Sequence, residues 1–385
     1  MRIMENNVIH SINFSSKNHS TEIDSLRAIA VLLVFFYHSI GVMIKPNPEI
    51  PHTASGYILS FIFTGATGVT LFFVISSFLL TIPFYLNPNA SRIRFFKKRL
   101  LRILPMFFLI VIIAGLLTRA VMNNPMEVVR SFLFLFEPWG LFPFSVPWWS
   151  LRTEMEFYVL LGLLMPLIHF SKGRVVVLIS LVAIFVGRYF IYIHKELFLT
   201  DTNLYALLFQ SAVAHAPTFL IGIAASIIYI KFGESMKVYL YKSKIFNSII
   251  SDVVFIMILA VLALVLRKVA IMGGMIYTDV NWPQHYTYEA LLWSLVLLSV
   301  IVLPLRIKPL IANKILARFG ETTYSFYLIH LPVMYYVNVN FLPVQSGFTT
   351  IYWGKVLLVL ILAMILSFLS FRFIEKPFLK IKDSF

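Results

Sequence analysis

The sequence predicts an all-α integral membrane protein, a bundle of about ten transmembrane helices with both termini cytoplasmic. Three observations carry this. The 385 residues are 59% hydrophobic and only 13% charged, about half the charged share of soluble proteins. Mean hydropathy is +0.87. Apolar stretches recur along the chain at the roughly 17–25 residues a helix needs to cross a bilayer.

Residues 1–22 are polar and lack a signal-peptide core, so the first apolar stretch, 26–44, is expected to remain as a helix. The stretch 59–84 is long enough to be tilted, or broken near Gly65 and Gly68. Spans follow near 103–121, 155–170, 175–193 and 206–230, then 250–266, 288–304, 322–341 and 352–373. Residues 130–149 are apolar but carry Pro138, Pro143 and Pro147, which remove backbone donors, so they read as interfacial or re-entrant. The hydrophilic stretches 231–249 and 267–287 read as loops, with neither an internal repeat nor a separate soluble domain.

With the N-terminus inside, most of the 32 basic residues fall on the cytoplasmic side, including Arg92, Arg94, Lys97, Lys98, Arg99 and Arg102. That bias sets orientation, so the net charge of +15 reports topology and not a nucleic-acid partner. The absence of cysteine excludes disulfides, thiolate metal sites and a cysteine nucleophile. The chain divides into a polar tail (1–22), a transmembrane domain (23–378) and a cytoplasmic tail (379–385).

Arg27 and His38 share the first span. At about 100° per residue they lie on one helix face, roughly 16 Å apart along the axis. Ionisable side chains inside a membrane usually face a protein-lined or wet interior. A cation at the rim and an imidazole deeper in suit a reaction that brings a charged molecule to a buried site. A snorkelling arginine and a packing histidine are the bland alternative.

Five stretches occur in order. They are Ile23-Asp24-Ser25-Leu26-Arg27 leading to His38, an Arg-x10-His spacing; Gly68-Val69-Thr70 through Ser76-Ser77-Phe78; Lys98-Arg99-Leu100-Leu101-Arg102; Trp149-Ser150-Leu151-Arg152-Thr153-Glu154; and Tyr324-Ser325-Phe326-Tyr327-Leu328-Ile329-His330, with Glu375-Lys376-Pro377 after it. Together they resemble the acyltransferase-3 family of membrane O-acyltransferases, over about residues 21–378. Each motif alone is weak; the ordered set is strong. The resemblance implies an acyl-CoA donor, usually acetyl-CoA, a hydroxyl acceptor on a cell-envelope polysaccharide, lipopolysaccharide or lipid-linked sugar, and no metal. It also implies a multi-pass protein of the bacterial inner membrane. Some members carry a fused soluble hydrolase-like domain, for which this chain leaves no room. One departure is Ser76-Ser77-Phe78, where the family usually reads Ser-Gly-Phe; close helix packing is expected to survive with a small serine.

His38 is the expected general base, because imidazole titrates nearest neutral pH. The resemblance implies Glu154 as its orienter or an acceptor ligand, and makes His330 a site residue of catalytic or structural role. Arg99 and Arg102, three apart on one face, match the family's Arg-x-x-Arg; with Arg27 they are expected to bind CoA phosphates, which guanidiniums hold bidentately. The other cations of that cluster belong to anionic lipid. Trp139, Trp148 and Trp149 can stack on a sugar or form an aromatic belt; Tyr324 joins Trp148 and Trp149 as a candidate substrate contact. Glu156 and His215 read as structural. The rival from another class is a transporter using the buried Arg, His and Glu as a substrate or proton relay, which internal repeats would have supported. A non-catalytic scaffold would tolerate loss of His38.

Overall fold

A computed structural model describes residues 21–44, 50, 53–118, 123–135, 145–194, 210–243, 248–272, 282–340 and 344–383. The polar tail expected at 1–22 therefore lies almost wholly outside the described residues, as does Trp139. Among the described residues there is no strand, only an isolated bridge between Ile44 and Gln345.

The helices are α1 (Thr21–Met43), α2 (Ser55–Phe63), α3 (Thr67–Leu86), α4 (Arg92–Leu117), α5 (Pro125–Phe132), α6 (Trp149–Leu164), α7 (Ser171–Ile193), α8 (Ala216–Lys242), α9 (Ser248–Ile271) and α10 (His285–Val302). They continue as α11 (Lys308–Ile311), α12 (Lys314–Gly320), α13 (Thr323–Asn340), α14 (Thr350–Ser370) and α15 (Lys376–Asp383). Among the described residues, eight helices are long and apolar enough to cross a membrane, the last being the continuous run Thr350–Ile381. This is a multi-pass integral membrane protein. The two expected spans outside that set, 155–170 and 322–341, correspond to α6 and α13. α6 has 16 residues, bounded by a 3-10 turn with Pro147 before it and one with Pro166 after it. α13 has 18 residues, among them His330, Asn338 and Asn340. Both carry polar residues of the candidate site, and that polarity lowers their apolar content.

The expected break near Gly65 and Gly68 is present: α2 ends at Phe63 and α3 begins at Thr67. A helix crossing lies beside it. A Cβ on Gly68 would sit 2.2 Å from the Ala30 carbonyl oxygen, so α3 meets the backbone of α1 there. Helices in lipid associate through such close packing and through interhelical hydrogen bonds.

The unusual serine of the second motif is accommodated in the same way. Ser77 is fully buried and donates to Phe73 and Val74 carbonyls of its own helix. Opposite it on α8 stands Gly222, where a Cβ would lie 1.9 Å from the Ser77 Oγ. A serine on α3 thus fits because α8 presents a glycine.

α1 is central, packing on α3, α12 and α13. One core cluster, including Phe35, Phe107, Trp148, Phe326 and Met334, gathers α1, α4, α6, α13 and α14. The other, including Leu26, Phe78, Trp293 and Leu297, gathers α1, α3, α8, α9 and α10. Ser25 and Asn313 exchange hydrogen bonds of 3.2 Å, and Lys308 pairs with Glu22 at 2.8 Å, which clasps the start of α1 to the α11–α12 segment. α7 packs mainly on the turn before it and exposes most of its sides.

Candidate active site

α1 and α13 bring two histidines together. His38 Nδ1 lies 3.0 Å from His330 Nε2, with the rings stacked at 5.2 Å and 27°. His330 is 0% exposed and its Nδ1 is 3.1 Å from the Phe326 carbonyl oxygen. A carbonyl only accepts, so His330 Nδ1 carries the hydrogen and, in the neutral ring, Nε2 is the acceptor. His38 Nδ1 must then be the donor. The hydrogen-bond chain therefore leaves His38 Nε2 with a free lone pair, and His38 is the half-buried member of the pair.

The start of α6 docks beside this pair. The Tyr327 ring is 5.9 Å from His330, and its hydroxyl donates to the Pro147 carbonyl at 2.6 Å while lying 2.7 Å from Ser150 Oγ. On the other side Ser39 Oγ lies 2.8 Å from the Tyr352 hydroxyl of α14. Neighbours of the pair on α13 and α1 are thus tied to α6 and α14.

One end of the bundle gathers the arginines. Arg27 pairs with Asp24 at 2.9 Å, and Arg99 and Arg102 lie close enough to Arg27 for mutual repulsion. The Arg99 guanidinium sits 5.9 Å from the Phe95 ring and 6.0 Å from the Tyr158 ring. Its buried Nε has no hydrogen-bond partner. Glu154 accepts from Ser76 Oγ at 2.9 Å and from the Tyr158 hydroxyl, within electrostatic reach of Arg99. The π-helical turn Phe371–Glu375 delivers buried Glu375 to the neighbourhood of Arg102, where it accepts from Ser325. Tyr324 donates to the Ile103 carbonyl of α4 at 2.7 Å.

The predicted residues therefore fall into two groups. His38 and His330 form one; Arg27, Arg99, Arg102, Glu154 and Tyr324 converge on the other. Glu154, read as an orienter of His38 or an acceptor ligand, keeps company with arginines, and His330 is the residue bonded to His38. Trp148 and Trp149, read as a sugar contact or an aromatic belt, are 1% and 6% exposed. Trp148 meets Phe107 edge-on at 5.6 Å, and Trp149 stacks on His215 at 5.4 Å. Their rings contact protein because α6 starts inside the bundle. Tyr158, Ser76 and Glu375 were not singled out from sequence. Tyr158 was findable, since it stands one helical turn after Glu154; Glu375 stood in a recognised motif without an assigned task. Among the described residues, no group of three or more His, Asp or Glu is placed to hold a metal ion.

A family model described as an acyltransferase domain matches residues 20–372. The O-acetyltransferases OatA of Staphylococcus aureus strains NCTC 8325 / PS 47, COL and MRSA252 are each 26% identical over 387 residues, covering 93% of this chain and 57% of theirs. The chain thus spans a little over half the length of those relatives. Protein ORF330 of Acidianus two-tailed virus is 25% identical over 318 residues, covering 82% of this chain and 83% of its own. No solved structure matches.

Proposed function

Because this chain belongs to the acyltransferase domain family, we propose that it moves an acyl group, acetyl above all, from acyl-CoA to a hydroxyl of an envelope glycan or lipid-linked sugar. The proposed setting is the bacterial inner membrane, with the arginine cluster facing the cytoplasm. The observation that carries this reading is the hydrogen-bond chain that leaves His38 Nε2 bare.

In this reading His38 Nε2 takes the proton of the acceptor hydroxyl as its oxygen attacks the thioester carbonyl. The carbon–sulfur bond then breaks, and the CoA thiolate leaves with the proton from His38 Nε2. The products are an O-acyl ester and CoA thiol. His330 keeps the ring in one tautomer and accepts from Nδ1 throughout, the role of a base's orienting partner. Arg27, Arg99 and Arg102 hold the diphosphate and 3′-phosphate of CoA, for which guanidiniums supply forked donors. Glu154 and Glu375 place those arginines. The roughly 16 Å between Arg27 and His38 along α1 is a span for the pantetheine arm to bridge.

Mass spectrometry of O-acyl esters on host surface glycans tests this, comparing wild type, a gene deletion and His38→Ala at equal protein level. Loss of one ester in both strains is expected. An ester that disappears on deletion but persists in His38→Ala would move catalysis away from His38. An unchanged profile on deletion would remove the glycan acceptor from the account.

A further inference from the structure

α7 exposes most of its sides, yet it carries Arg188 inside its span. The guanidinium donates to the Ala214 carbonyl and, at 3.2 Å, to the Pro283 carbonyl. These bonds fix the fork without neutralising its charge. Two carboxylates near these segments are committed elsewhere. Glu156 pairs with Arg152 at 3.0 Å and accepts from the Ala212 amide at 2.8 Å. Glu289 lies 2.7 Å from His285 Nδ1 and accepts from Thr70 at 3.3 Å. Among the described residues Arg188 makes no ion pair. A cation inside a membrane span is costly, and among the described residues this one is met by two carbonyls and no carboxylate, an arrangement that an anion would complete.

The surroundings have the form of a binding site. A cavity of about 210 Å3 is lined by Arg188, Tyr189, Tyr192, Pro283, Gln284 and Tyr286. Behind it His215 is 2% exposed, 4.5 Å from the Tyr286 ring and within electrostatic reach of Arg188. Neither His215 ring nitrogen has a hydrogen-bond partner. A guanidinium that lines a cavity without a carboxylate partner among the described residues matches a group that supplies oxygens. The cavity joins the C-terminal part of α7 to the N-terminus of α10. The other end of α10 runs to the segment clasped to the start of α1, so the cavity lies at the end of α10 away from the arginine cluster. The exposed rings of Phe185 and Tyr189 on its α7 wall offer an apolar surface to a lipid chain.

We propose that this cavity binds the phosphate headgroup of a membrane amphiphile, with Arg188 as the cationic anchor. A phosphate-linked polyprenyl carrier and an anionic phospholipid share that chemistry. The site is separate from the arginine cluster, and its occupancy can be read without acyl transfer.

The test is native mass spectrometry of the full chain in maltoside micelles, titrated separately with polyprenyl phosphate, phosphatidylglycerol and uncharged polyprenol. Retention of one or both phosphate lipids, and not of polyprenol, is expected. Which phosphate lipid is held more tightly identifies the source. Arg188→Gln should weaken retention about tenfold. Because that change also removes two backbone contacts, Gln284→Glu serves as the second variant. Gln284 is exposed at the N-cap of α10, so a carboxylate there is tolerated by the fold but repels phosphate, and a similar loss is expected. Polyprenol retained as tightly as its phosphate, or unchanged retention in both variants, would overturn the proposal.

Discussion

The histidine pair and the arginine cluster each take a residue from α1, eleven positions apart, and they differ in what they leave unsatisfied. At the pair, His330 donates from Nδ1 to Phe326 and accepts at Nε2 from His38, so a single free nitrogen remains. At the cluster, three guanidiniums converge on Asp24, Glu154 and Glu375, and Arg99 keeps a buried Nε without a partner. A centre that moves one proton needs one lone pair in a fixed tautomer. A centre that holds a polyanion needs donors in surplus. Under the proposed function, this difference would place proton chemistry and anion binding at separate points along one helix.

The strongest way to break that separation is His38→Gln. Turnover, followed as CoA thiol release by purified protein, should fall about 10²–10⁴-fold, the usual worth of a general base. The KM for acyl-CoA should stay near wild type; a large rise would mean the two centres act as one. Next in size is His330→Leu, which removes the acceptor for His38 Nδ1. A hydrogen bond to a group that becomes charged is worth about 1.5–3 kcal/mol, or roughly 10–150-fold in turnover. His330→Gln, with its amide oxygen near the Nε2 position, should recover most of it. A merely packing role for His330 would make leucine the better substitute.

Arg102→Gln addresses the other centre. It should raise the KM for acyl-CoA about tenfold, with turnover changed by less than about threefold, since a phosphate contact made equally in ground and transition states is uniform binding. Added salt should raise the wild-type KM and affect the variant less.

Much of this was legible from residue spacing. The shared face of Arg27 and His38 follows from the helical repeat, and the second intramembrane histidine stood out as His330. The nitrogen that bonds the partner is set by the Phe326 carbonyl, a backbone group with no sequence signature. Trp148 and Trp149 read equally as a sugar contact and as an aromatic belt, since aromatic residues favour interfaces. Their burial depends on α6 starting inside the bundle, where Tyr327 and His215 meet it. The two expected spans outside the set of long apolar helices are α6, which has only 16 residues, and α13, whose polar residues include His330, Asn338 and Asn340. The acceptance of Ser77 depends on Gly222, which is distant in sequence and adjacent in space.

The smallest effect on chemistry is expected from Gly222→Ala. Its new Cβ would crowd Ser77 Oγ and the Val74 carbonyl, and overpacking of this kind costs about 1–3 kcal/mol. Thermal unfolding in detergent should shift downward while turnover per folded molecule is kept. Adding Ser77→Gly should restore part of the loss.

The central claim is that His38 presents a bare Nε2 because His330 fixes its tautomer. Nitrogen-15 NMR of histidine-labelled protein in lipid, taken as the difference between wild type and His38→Gln, reads this directly. A protonated Nδ1 and an unprotonated Nε2 are expected for His38 in the neutral state. A hydrogen on Nε2 would contradict it, and would remove His38 as the base that starts the transfer.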